Sequence, residues 1–168
     1  MRRTLAWAAV VVTALLLQST VFSQVKLAGA KPELMYLVTI VLAMLEGPNS
    51  GAVGGFTAGM AQDFLLNQPK GITALTLTLV GYAVGTVRQF ITTPSPFLPV
   101  LLVAGATLAG VMFYGFVSFL LGQFPGGFLF LLRTAALSSL YNALLTPLLY
   151  PILRRVTEAS RTSKVYRW

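Results

Sequence analysis

The chain has one aspartate, Asp63, and it stands inside an almost wholly apolar run from Gly51 to Arg88, GAVGGFTAGMAQDFLLNQPKGITALTLTLVGYAVGTVR. A carboxylate within a membrane span costs about 2.5–3.5 kcal/mol on insertion scales, and such groups are usually paired or turned toward a cavity. Arg133 enters the last apolar segment at a similar depth, so Asp63 is expected to contact Arg133 or to share a polar network with it and Asn142. Asp63 also precedes Asn67, Gln68 and Pro69, a placement that equally suits a carboxylate capping the turn after its own helix. Asn142 alone reads as a mid-membrane amide bridging two helices, worth about 0.6–2 kcal/mol. Glu46 and Arg88 fall at helix ends on one membrane face and form a candidate exposed pair, worth about 0–1 kcal/mol.

The rest of the inventory excludes most catalysis. With no His and no Cys, the usual zinc sites and the His- or Cys-based catalytic arrangements cannot be assembled. An intramembrane aspartyl protease needs two aspartates sharing a proton, and Glu33 and Glu46 sit at helix ends on opposite faces. The stretch GAVGGFTAG lacks the Lys-Ser or Lys-Thr of a phosphate loop and lies within a span. Ser138 and Ser139 form a mid-helix pair with no His, and every Lys is in a loop or the tail, so they read as structural. No catalytic residue, metal ligand or cofactor site is assigned.

The elements that must carry these residues are membrane helices. Hydrophobic residues fill 56% of the 168 positions and charged ones only 10%, a balance too apolar for one soluble core. A spanning helix needs about 20 mainly apolar residues, and six such segments are placed near 4–24, 33–46, 50–66, 71–91, 97–121 and 130–153. They are separated by the turn-forming stretches KPE, EGPNSG, NQPKG, TTPSP and FPGG. The start of the sixth is open, because FPGGFLFLL can be helix, interfacial segment or loop. Residues 1–153 thus form one polytopic all-α domain, followed by a basic tail over 154–168. The N-terminal segment has the basic start and apolar middle of a secretory signal but is read as a retained first helix.

Basic residues give the orientation. With both termini cytoplasmic, that face holds Arg2, Arg3, Arg88, Arg154, Arg155, Arg161, Lys164 and Arg167, against Lys26, Lys31 and Lys70 outside. The net charge of +8 flanks apolar spans instead of covering one face of a domain, which argues against nucleic acid and for anionic lipid under the tail. Trp7 and Trp168 fit an aromatic belt near the inner surface.

Small residues recur at helical spacing. Gly51, Gly55 and Gly59 form one row that Asp63 continues, and Gly81 and Gly85 lie one turn apart in the fourth helix. Such flat faces serve close helix packing within the chain or reception of a partner helix, with Gly55, Gly59 and Gly85 the leading contact positions. In the sixth helix Ala135, Ser139, Asn142 and Thr146 form a polar stripe beside Pro147 and Pro151, a face suited to protein or water instead of lipid.

In this order the second helix ending EGPNSG, the small-residue helix ending in Asp63, the Pro-Lys-Gly turn, LTLVGYAVG before Arg88, and RTAALSSLYNALLTPLLYPILRRV resemble the rod shape-determining membrane protein MreD family over most of 32–155. The resemblance implies a non-enzymatic component of bacterial cell elongation in the plasma membrane. Its implied partners are an MreC-like bitopic protein and, directly or indirectly, a RodA-type glycosyltransferase with its penicillin-binding transpeptidase, and it leaves self-association open. It also implies a fold similar to the substrate-binding subunits of energy-coupling-factor transporters. That kinship supplies the alternative function, a small-molecule-binding transporter subunit, whose pocket would draw on Asp63, Thr73, Thr76, Thr78, Arg133, Ser139 and Asn142.

Overall fold

The structure, a computed structural model, describes residues 2–20, 33–65, 71–91, 95, 97–123 and 126–161, with side chains assigned over 6–159 of these. Among them the elements are helices: α1 (Arg2–Thr20), α2 (Leu34–Glu46), α3 (Pro48–Leu65), α4 (Ile72–Phe90), α5 (Leu98–Leu120) and α6 (Phe128–Arg161). Lys26, Lys31, Lys70, Asn67, Gln68, Pro69, Lys164, Arg167 and Trp168, used above for orientation, capping and the tail, lie outside the described residues.

α2 is apolar all round, and the ten residues from Leu34 to Ala43 are all buried. α3, α4, α5, α6 and α1 each pack on it. Around this axis α1 touches α6, α6 touches α5, α5 touches α4, and α4 touches α3, so the five form an arc. The α2–α3 corner is made by one residue. Gly47 takes φ +91, a left-handed value that favours glycine, and Pro48 then starts α3 at the position where a missing N–H is not needed. α3 therefore begins two residues before the expected position 50.

The polarity is inverted relative to a soluble bundle. Thr39, Thr76, Thr107, Asn142 and Thr146 are essentially inaccessible, while Phe90 is 81% and Leu129 78% exposed. Exposed large apolar side chains occur on α1, α3, α4, α5 and α6. An apolar exterior on this scale would drive a soluble monomer to aggregate, whereas lipid solvates it. Many interior hydroxyls bond within their own helix: Thr76 Oγ1 donates to the Ile72 carbonyl (2.8 Å) and Thr146 Oγ1 to that of Asn142 (2.6 Å). Two helices, over Leu98–Leu120 and Phe128–Ala159, are long and apolar enough to cross a membrane, and α2 and the apolar part of α1 are shorter.

Two expectations are corrected and one open segment is settled. α6 does not stop near 153; it runs as one helix through Pro147 and Pro151 to Arg161, so the first part of the basic tail is its last two turns. There Arg154 Nε donates to Glu158 Oε1 at 2.7 Å, an i,i+4 pair that extends the helix past the apolar segment. The open FPGGFLFLL segment resolves into helix from Phe128 onward. Trp7 is not a belt residue: it is 8% exposed and packs in the apolar core.

Candidate functional site

Asp63 sits in the last full turn of α3, 1% exposed, and its carboxylate is aimed at the start of α4. Oδ2 accepts the backbone N–H of Gly71 at 2.8 Å and that of Ala74 at 3.2 Å. Gly71 is the N-cap of α4 in a left-handed conformation (φ +99), and it offers no side chain to cap the helix. A carboxylate from the preceding helix supplies what the local residue lacks, and the positive end of the α4 dipole favours its charge. This is the capping arrangement, with the acceptor coming from eight residues back along the chain.

The expected Asp63–Arg133 contact is not formed. Arg133 is exposed on α6, and no ion pair joins it to Asp63 among the described residues. The reason is rotational. The inward face of α6 carries Leu131, Ala135, Ser138, Asn142 and Thr146, all buried. Position 133 lies about 200° around from 131 at roughly 100° per residue, which turns it to the opposite face.

Asn142 belongs to a different polar cluster, so the Asp63, Arg133 and Asn142 network separates into unconnected parts. Its Nδ2 donates to Thr107 Oγ1 on α5 (3.2 Å) and to the Glu33 carbonyl at the start of α2 (3.0 Å), tying three elements together. Beside it Ser139 Oγ donates to the Ala104 carbonyl at 2.7 Å, so the polar stripe of α6 faces protein. The Glu46–Arg88 pair is likewise not formed: Arg88 Nη1 donates to the Ile91 carbonyl at 2.6 Å, closing the C-terminus of its own helix.

The glycine row is filled from within the chain. A Cβ at Gly55 would stand 2.6 Å from the Leu77 carbonyl carbon, one at Gly59 2.6 Å from the Ala74 nitrogen, and one at Gly51 2.6 Å from the Gly81 oxygen. From the other side, a Cβ at Gly81 would meet the Gly51 carbonyl carbon at 2.6 Å and one at Gly85 the Pro48 Cα at 2.5 Å. All five positions therefore bring the α3 and α4 backbones, with the Gly47–Pro48 corner, into direct contact. That occupancy removes the partner-helix role from this face. Close approach gives the dispersion gain on which helix association in lipid depends.

Between these parts lies a small polar cavity of about 50 Å³, lined by Glu33, Tyr36, Gln62, Thr73, Val111 and Tyr114. Of these only Thr73 was among the candidate pocket residues read from the sequence. Gln62 is 2% exposed, and its Oε1 has no hydrogen-bond partner. Glu33 Oε2 accepts from Gln18 Nε2 of α1 at 3.4 Å, and Gln18 Oε1 accepts the Met35 N–H at 3.3 Å. The signal for Gln62 was its place beside Asp63 in an otherwise apolar helix. Tyr36 and Tyr114 gave none, since aromatic residues are ordinary in spans. No group of three or more Asp or Glu side chains is arranged to hold a metal ion among the described residues.

A family model described as rod shape-determining protein MreD matches residues 1–156 of the chain. No curated protein and no solved structure matches the chain.

Proposed function

The chain belongs to the MreD family of rod shape-determining proteins, and from that membership we propose that it is a non-enzymatic scaffold of the cell-elongation machinery in the bacterial inner membrane. It holds an MreC-like bitopic protein close to a RodA-type glycosyltransferase and its penicillin-binding transpeptidase. The observation that carries this reading is the extent of the family match, which runs from α1 through most of α6.

The architecture supports a multi-pass arrangement. Six helices that each cross return the chain to its starting side, and Arg2, Arg3, Arg88, Arg154 and Arg155 then gather at the cytoplasmic face. The 34 residues of α6 extend about 51 Å, well beyond a hydrocarbon core of about 30 Å, so its basic end projects toward anionic headgroups. Because the glycine faces are used inside the bundle, partner helices meet the outer apolar surfaces, and self-association draws on the same surfaces. The proposed kinship with energy-coupling-factor subunits comes from the family resemblance, and the six described helices agree with it in number alone. The transporter alternative is weakened by scale: the polar cavity of about 50 Å³ is far below the roughly 300–1,000 Å³ of sites for vitamin-sized ligands.

Gentle affinity purification from native membranes, with mass spectrometry of proteins and retained small molecules, tests the proposal. Enrichment of MreC-like and wall-synthesis proteins is expected. A stoichiometric vitamin-like molecule together with ATPase subunits overturns the scaffold reading.

A further inference from the structure

We propose that Arg133 holds the phosphate of an anionic phospholipid against the outward face of α6. The residue is exposed near the start of that helix, and among the described residues it makes no hydrogen bond or ion pair. The face that carries it is otherwise apolar. At roughly 100° per residue, Leu140, Leu144 and Leu148 lie within about 60° of Arg133 around the helix axis, and they are 56%, 67% and 64% exposed. The stripe ends in Arg155, about 40° away, which is likewise exposed and without a partner among the described residues. Glu158, the acidic residue of α6, is bonded to Arg154 instead. An apolar track is thus bracketed by two free guanidinium groups.

The spacing of the two arginines says what surrounds them. Residues 133 and 155 are separated by about 33 Å of helix at 1.5 Å per residue. That matches a hydrocarbon core of about 30 Å, and each long side chain then reaches outward into the headgroups. Cations at both ends suit a bilayer, whose two phosphate planes carry the same sign. A partner helix would answer both only with carboxylates at two matching depths. The planar guanidinium takes a phosphate through two parallel N–H donors. Phosphatidylglycerol is favoured over phosphatidylcholine, whose own ammonium group offsets its phosphate charge. The acyl chains of the held lipid then run along Leu140 and Leu144. This site lies in the leaflet opposite the basic end of α6, and it does not depend on the scaffold reading.

The test is tryptophan quenching by lipids brominated in their acyl chains, with the full chain in mixed bilayers of phosphatidylcholine and phosphatidylglycerol. Leu140→Trp and Leu148→Trp place reporters two turns from Arg133 and from Arg155, respectively, and the signal of the parent chain with Trp7 and Trp168 is subtracted. Brominated phosphatidylglycerol is expected to quench position 140 with about two- to fivefold preference over brominated phosphatidylcholine, the range for an exposed ion pair. Arg133→Gln should abolish that preference at position 140 and leave the quenching of position 148 unchanged, which also shows that the helix is intact. Equal quenching of position 140 by the two lipids overturns the proposal, as does a preference that survives Arg133→Gln or one that is lost at both positions. A reporter at position 140 that neither lipid reaches overturns it too, since protein then covers the face.

Discussion

Replacing Asp63 separates capping from ion pairing. Its Oδ2 accepts two backbone N–H groups at the start of α4, at 2.8 and 3.2 Å, and it is 1% exposed. Each hydrogen bond to a charged group contributes about 1.5–3 kcal/mol, with the longer bond at the lower end, while loss of the charge relieves part of its burial cost. Asp63→Ala should therefore destabilise by about 2–3 kcal/mol. Asp63→Asn keeps an acceptor oxygen in place and should lose about half of that. Arg133 is exposed on the far face of α6, so Arg133→Ala should change stability by no more than about 0.5 kcal/mol. The double variant should be additive within about 0.5 kcal/mol. The assay is reversible unfolding in mixed micelles or bicelles, followed by helicity or steric trapping, across the complete cycle. An Arg133→Ala cost equal to that of Asp63→Ala, or a coupling above about 1 kcal/mol, would refute the capping account and restore the ion pair.

Gly55→Ala should destabilise by about 1–3 kcal/mol, because the new Cβ meets the backbone of Leu77, which cannot move aside as a flexible side chain could. Gly105→Ala, where no atom lies within 4 Å, should be neutral or stabilising by up to about 1 kcal/mol through helix propensity; the same unfolding assay checks both, and equal costs contradict the packing assignment. Asn142→Leu should cost about 0.6–2 kcal/mol through loss of the bonds to Thr107 and the Glu33 carbonyl. Thr107→Val should remove part of that cost in a non-additive way, measurable as a double-mutant coupling.

The amino-acid sequence by itself determined the helical class, the positions of most turns and the small-residue row of α3, because these follow from local composition and the 3.6-residue period. The capping role of Asp63 was also within reach, since its acceptors lie only eight and eleven residues ahead. So was the outward face of Arg133, which the spacing of Leu131, Ala135, Ser138 and Asn142 implies. The error came from matching charges by depth without matching them by rotation about the helix axis. Tertiary structure alone decided which surface fills the glycine row, because a flat face accepts any other flat face and its own α4 happens to lie beside it. It alone joined Asn142 to the Glu33 carbonyl across 109 positions. It also assembled the cavity, whose lining comes from α3, α4, α5 and the start of α2. The physical reason is that helix interiors and lipid are equally apolar, so hydrophobic pattern ranks helix rotations and neighbours weakly. Close backbone packing and a few buried hydrogen bonds select among them, and those exist only once the helices have met.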